Sequence, residues 1–160
     1  MIFITLGSQK FQFDRLLQKV DELVENGFLT EDVLAQSGNS GYVPKYYKSI
    51  DFMDRDAFNE QMGIANIVIT HAGTGAILGA LKKGKKVIAV PRRKVYGEHV
   101  DDHQLQIVKQ FELMKIIEPC YDVDNLEQAY NDVLTKEYVQ YRSNTQIIIS
   151  SIEDFLESDV

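Results

Sequence analysis

One stretch, Ile67 to Leu81, constrains this chain more than any other. Ile67, Val68 and Ile69 form a short β-branched run that predicts a buried strand. Thr70, His71, Ala72, Gly73, Thr74 and Gly75 then make a turn of small residues, and Ile77, Ala80 and Leu81 follow at helical spacing. A strand, a glycine turn and a helix start together make an anion site. Glycine lets the backbone approach, the first helical turn carries unpaired N–H groups, and the helix dipole favours negative charge. A tight turn that merely packs would need the same glycines, so the stretch alone leaves both readings open.

The rest of the chain repeats the theme. Ile2 to Leu6 reads as a buried strand, and Gly7, Ser8 and Gln9 form a second strand-end turn. Phe13, Leu16, Leu17, Val20 and Val24 recur at helical spacing until Gly27. Strands are predicted at Asp32 to Ser37, Lys48 to Met53, Lys86 to Val90 and Lys115 to Ile117. A short helix after Asp54 runs through Met62, and the helix after the opening motif ends at Gly84. Asp101 or Asp102 is expected to cap a helix carrying Leu105, Val108 and Phe111. Asp124 and Glu127 match a capping box before Leu126, Tyr130, Val133 and Leu134. Ile148, Ile152, Phe155 and Leu156 suggest a final amphipathic helix, although Ile147 to Ile149 also suits a strand. Alternation of strands with helices predicts an α/β fold, a Rossmann-like parallel sheet flanked by helices. In such sheets ligands bind beyond the carboxyl ends of the strands. Gly7, Phe52 and Met53, His71 to Gly75, and Pro91 to His103 all fall there.

Composition narrows the function. The net charge of −7 and the absence of a basic stripe argue against nucleic acid as a partner. Cys120 is the sole cysteine, which excludes an internal disulfide and fits a cytoplasmic setting. No apolar run is long enough to span a bilayer, and the first residues lack the charged start of a signal peptide. A membrane role would therefore come through a partner or a surface patch. Lys82, Lys83, Lys85 and Lys86 with Arg92, Arg93 and Lys94 form a local basic cluster, either solvated surface or a face toward anionic lipid or a partner. Tyr42, Tyr46 and Tyr47 cluster in a loop, where they either pack or meet a ligand.

Several motifs occur together: Thr5 to Ser8 followed by Phe11, His71 to Leu78, Gly84 to Lys86, Pro91, and Asp102 to Leu105. In this combination the chain resembles the C-terminal domain of family 28 glycosyltransferases, in its stand-alone form, from Ile2 to about Phe111. The resemblance implies the C-terminal half of a GT-B glycosyltransferase, with residues 1–160 as a single nucleotide-sugar-binding domain. It implies the donor-binding catalytic subunit of a two-component inverting enzyme, active only with its partner and acting in capsule or exopolysaccharide synthesis. A hexose or N-acetylhexosamine, galactose or GlcNAc, would move from a UDP-sugar to a polyprenyl-diphosphate-linked saccharide. The partner would be a membrane-anchored acceptor-binding subunit, which would place this chain in the cytoplasm at the inner membrane face. A homodimer in isolation stays open if the partner's face is left exposed.

Site residues follow from the same resemblance. Gly7 and Ser8 match the first loop, facing the phosphates. Phe52 and Met53 match the stretch whose backbone reads uracil. His71, Gly73, Thr74 and Gly75 match the diphosphate loop, and His103 and Gln104 match the pair that contacts sugar hydroxyls, ahead of His99. Gly79 departs from the family, which carries Glu or Asp there for the ribose. Either close packing requires the glycine, or another group such as Glu98 or Asp102 holds the ribose. The departure also leaves room for a non-catalytic enhancer or scaffold subunit.

A departing nucleoside diphosphate gathers negative charge, and amides at a helix N-terminus can offset it with neither metal nor cofactor. Asp54-Arg55-Asp56 mimics a metal motif, but acidic residues after a strand are common helix caps. Inversion needs a base to deprotonate the acceptor hydroxyl. The family keeps that base in the acceptor half, so no catalytic base is assigned here. A self-sufficient nucleotide-binding enzyme such as an epimerase is a third reading.

Overall fold

The computed structural model describes residues 1–144. The predicted helix around Ile148 to Leu156 lies outside the described residues.

Six parallel strands form one sheet in the order β3-β2-β1-β4-β5-β6. They are β1 (Ile2–Thr5), β2 (Val33–Gln36), β3 (Lys48–Ile50), β4 (Ile67–His71), β5 (Lys86–Val90) and β6 (Glu118–Pro119). The helices are α1 (Asp14–Glu25), α2 (Arg55–Ile64), α3 (Thr74–Lys82), α4 (His103–Leu113) and α5 (Leu126–Thr135).

Strand periodicity sorts the core into two layers. Side chains alternate across a strand. Accordingly Ile2, Ile4, Ile67, Ile69, Ile88 and Val90 pack with Leu16, Leu17 and Val20 of α1 and Leu126, Ala129 and Val133 of α5. Phe3, Val68, Val87 and Ala89 pack on the other face with Met62 of α2, Ile77, Ala80 and Leu81 of α3, and Val108 of α4. Both faces of the central strands are covered, which explains why β1 and β4 are continuous apolar runs. β1 pairs with β2 on one side and β4 on the other. The strand order therefore reverses between β1 and β4, and a crevice opens beyond their carboxyl ends.

Three local expectations are corrected and a fourth, the cap of α4, is divided between two residues. β3 stops at Ile50, so Phe52 and Met53 lie past its end. Lys115, Ile116 and Ile117 are not a strand. Lys115 takes a left-handed φ of 56° and its N–H bonds Glu112, while Ile116 N–H bonds Phe111. The chain thus closes α4 and buries both isoleucines, and pairing begins only where Ile88 meets Glu118. The capping box of Asp124 and Glu127 does not form. Asp122 instead accepts the Asp124 N–H and caps a 3-10 turn over Val123–Asn125, whose end leads into α5. At α4 the carboxylate of Asp101 takes the His103 N–H at 3.0 Å, while Asp102 occupies the cap position and turns its side chain to the Lys94 N–H.

Candidate functional site

The crevice between β1 and β4 is a cleft of about 490 Å³. Gly7, Ser8 and Gln9, His71 to Ala76, His99, His103, Gln104 and Ile107 line it. The β1–α1 loop, the β4–α3 turn and the start of α4 thus converge on one point, as the sheet reversal requires.

His71 sits at the last position of β4 and is 8% exposed. Its imidazole is held between two glycines. A Cβ on Gly73 would overlap His71 Nε2, and one on Gly7 would stand 2.7 Å from Cε1. Gly7 also has a φ of +73°, which side chains other than glycine adopt at a cost. His71 Nδ1 lies 3.4 Å from the Thr5 carbonyl and 3.4 Å from Thr70 Oγ1. Thr70 Oγ1 in turn donates to Thr5 O at 2.9 Å. Burial, and secondarily the charge of Arg92, push the His71 pKa down to about 4. The ring is therefore neutral near pH 7, and the carbonyl beside Nδ1 favours the proton on that nitrogen.

Helix α3 starts directly after this ring. Its first backbone bond runs from Ile77 N–H to Gly73 O at 3.1 Å. The N–H groups of Gly73, Thr74, Gly75 and Ala76 donate to no other group among the described residues. The Gly73 cap supplies no side chain to answer them. Four donors and the positive end of the helix dipole thus border the cleft, a ready environment for an anion.

The remaining site residues divide. Gln104 is buried, and its Oε1 accepts the Arg92 N–H at 2.9 Å. That contact fixes the amide and leaves its NH₂ as the group for a ligand, so Gln104 is not a solvated first-turn residue. His103 is exposed, with Nδ1 3.3 Å from Gln106 Oε1. His99 also lines the cleft, its ring 4.7 Å from that of Phe11 and its Nδ1 3.2 Å from Asp101. Phe52 and Met53 do not line the cleft. Phe52 is exposed beyond β3, and the Met53 N–H is taken by Gln36 Oε1 at 2.9 Å.

Both structural explanations for Gly79 change. A Cβ there would meet nothing within 4 Å, so close packing does not require the glycine. Glu98 is fully buried and bonded to Arg15 and the Arg93 N–H, which removes it as a ribose ligand. Asp102 is exposed and has one oxygen engaged by Lys94 N–H.

Other sequence candidates resolve into structure. Asp54 caps α2 through the Ala57 N–H at 2.8 Å. Burial pushes the Cys120 thiol up to about 12, which makes it a poor nucleophile. Tyr42 and Tyr46 gather around Asp21, and Tyr47 donates to the Leu17 carbonyl. The basic cluster is not one patch. Lys82 to Lys86 lie where β5 begins and Arg92 to Lys94 where it ends, about 20 Å apart at strand rise. Sequence reasoning missed Arg92 as a buried residue, and with it the roles of Gln9 and Ile107 as cleft walls, whereas His99, ranked behind His103, does line the cleft. Only the position of Arg92, after Pro91 at a strand end, hinted at a place near the site.

Comparison with known proteins agrees with this architecture. The profile of the glycosyltransferase family 28 C-terminal domain matches residues 1–158, and the chain belongs to that family. Human UDP-N-acetylglucosamine transferase subunit ALG13 is 30% identical over 122 residues, covering 68% of this chain but 10% of the human protein. The Yarrowia lipolytica protein of the same name is 31% identical over 121 residues, covering 69% of this chain and 59% of its own length. Among solved structures, the solution structure of ALG13 aligns with a TM-score of 0.61 at 18% identity, covering 94% of this chain and 93% of that one. MurG of Acinetobacter baumannii aligns with a TM-score of 0.59 at 16% identity, covering 84% of this chain and 41% of its own. The fold is that of the C-terminal half of a GT-B glycosyltransferase.

Proposed function

We propose that this chain is the donor-binding subunit of a two-component inverting glycosyltransferase. It binds a UDP-sugar, carrying N-acetylglucosamine or galactose, and a membrane-anchored partner supplies the lipid-linked saccharide acceptor and the catalytic base. The setting is polysaccharide synthesis on a polyprenyl diphosphate at the inner membrane face. The observation that carries this reading is the row of unanswered N–H groups from Gly73 to Ala76 beside the His71 ring. Those donors suit the diphosphate both in the bound donor and as charge gathers on the leaving UDP. The relatives' names, which include both UDP-N-acetylglucosamine and the word subunit, support the donor class and the need for a partner. No helix among the described residues is long and apolar enough to cross a membrane, so the reading assigns membrane attachment to the partner.

Neutral His71, with its proton on Nδ1, offers a diphosphate no N–H at Nε2 until that nitrogen is protonated. An anion at Nε2 favours a proton there, so diphosphate binding and protonation of the ring are coupled. Gln104 offers its NH₂ to a sugar hydroxyl, with His103 beside it. No metal is needed in this scheme because the backbone supplies the countercharge.

The test combines the chain with its partner, a lipid-linked acceptor and individual UDP-sugars. Sugar transfer that needs both polypeptides is expected, and no transfer from any common UDP-sugar would sink the reading. A second reading, a non-catalytic enhancer or scaffold, is favoured by Gly79, where a ribose carboxylate is missing. Calorimetry separates the two: saturable UDP binding that Gly73→Ala weakens argues for donor binding, and no UDP binding argues for the scaffold.

A further inference from the structure

Arg92 is the most anomalous group in the molecule. It follows Pro91 at the end of β5 and is 1% exposed. One nitrogen, Nη2, donates to the Leu6 carbonyl at 2.8 Å and the Phe11 carbonyl at 3.1 Å. The other two, Nε and Nη1, are buried with no hydrogen-bond partner. Among the described residues no carboxylate lies within ion-pair distance of it. Glu98 is the anion whose charge acts on it, but both Glu98 oxygens are already engaged. Arg15 takes them at 2.9 and 3.1 Å, and the Arg93 N–H takes Oε2 as well at 2.9 Å. Arg15 also faces Asp122, at 4.0 Å. The Phe13 ring, 5.5 Å from the guanidinium, offsets only part of the charge.

Buried cations are ordinarily paired, because leaving one unpaired is costly. This one stands behind the cleft. Its field reaches His71, the residue that walls the cleft next to the unanswered amides of α3. Its two carbonyl contacts hold both ends of the loop that carries Gly7, Ser8 and Gln9. Because a trans peptide carries its N–H opposite its C=O, the Leu6 contact turns the Gly7 N–H away from the guanidinium. That N–H also donates to no group among the described residues.

We propose that Arg92 is the built-in counter-charge of the cleft: a positioning residue that fixes the Leu6–Phe11 loop and supplies the positive field that selects a diphosphate. This rests on the donor-site reading above for the identity of the ligand, but it requires only a diphosphate. The ligand answers through space the charge that the protein leaves unpaired.

The experiment measures binding of inorganic pyrophosphate, UDP and uridine by calorimetry to the full chain and three variants. Replacing the cation with a neutral, unbranched side chain, Arg92→Met, should weaken pyrophosphate and UDP about tenfold or more, with uridine changed less than about twofold. Arg92→Lys, which keeps the charge, should restore pyrophosphate binding to within about threefold of the parent. Glu98→Gln removes the competing anion and should tighten pyrophosphate binding by about threefold, a sign that mere loosening of a loop cannot produce. In Arg92→Met the His71 Cε1–H resonance should titrate at higher pH than in the parent. Equal weakening of uridine and UDP, or unchanged pyrophosphate binding, in Arg92→Met would overturn the proposal. If Arg92→Met fails to fold by circular dichroism, Glu98→Gln decides: tighter pyrophosphate binding supports the role, and unchanged or weaker binding overturns it. A parent chain that binds pyrophosphate but not UDP, and loses it in Arg92→Met, keeps this proposal and removes the UDP-sugar reading. A parent chain that binds neither removes both.

Discussion

Two buried charges in this molecule have opposite surroundings. Asp21, on α1, is 3% exposed and its carboxylate is fully answered. It accepts Tyr42 Oη at 2.7 Å, Lys45 N–H at 2.9 Å and Tyr46 N–H at 2.8 Å. Burial works against its charge, but the bonds from Lys45, Tyr42 and Tyr46 outweigh burial and hold the carboxyl below its ordinary pKa. Arg92 is as buried and keeps two nitrogens unanswered. The first arrangement is closed and fastens the loop before β3 to α1. The second borders a cleft full of unpaired N–H groups. A saturated polar network stabilises structure, whereas an unsaturated one beside a cavity is what a ligand site requires.

The contrast can be broken from either side. The largest expected effect falls on the closed network. Asp21→Ala orphans three donors and should cost roughly 3 kcal/mol of stability. Chemical denaturation reads that loss, and UDP affinity of the folded fraction should stay unchanged.

Next comes the pH dependence of the open side. The His71 pKa is lowered from 6.5 to about 4 on folding. The unfolded chain therefore takes up this proton first as pH falls, so His71 makes the protein less stable from about pH 6.5 down to about pH 4. The difference is roughly 3 kcal/mol at the acid end. His71→Gln should flatten that part of the stability profile relative to the parent, and parallel profiles would show that the ring is not neutral when buried.

A smaller effect is expected from Gly73→Ala. The new Cβ overlaps His71 Nε2, so the ring must move. UDP affinity should fall about thirtyfold, or about 2 kcal/mol, with little change in melting temperature. Retained UDP binding would mean that the ring and the α3 amides do not act together.

The smallest effect should come from Gly79→Glu. Its Cβ enters open space, so the helix should gain roughly 0.5 kcal/mol from propensity. Gly79 lies one turn beyond Gly75, on the helix face that borders the cleft. Tighter UDP binding in this variant would place the ribose beside that face, and unchanged binding would place it elsewhere.

Much of the fold was legible because it rests on short-range pattern. β-branched runs at Ile2 and Ile67 predicted the two central strands, and the glycine turn at Gly73 predicted the start of α3. The cleft was legible for the same reason: Gly7, Ser8, His71, Gly73, Thr74 and Gly75 all sit at strand ends. The predicted strand runs through Phe52 and Met53 whereas β3 ends at Ile50, because edge-strand length depends on a neighbour rather than on the local run. The Asp124 and Glu127 pattern failed because Asp122 competed for the same turn, and the pattern carries no information on which acid wins.

Sequence by itself determined the alternation of strand and helix, the two-sided burial of the sheet and the place where its order reverses, since each follows from residue periodicity within a few positions. Only the tertiary structure decided which charges are answered. Arg92 meets Leu6 from 86 positions away and Arg15 meets Glu98 from 83 positions away. Such pairings arise when the folded sheet brings distant loops to one edge, and the energy of a buried charge depends on every group around it, not on its neighbours in the chain.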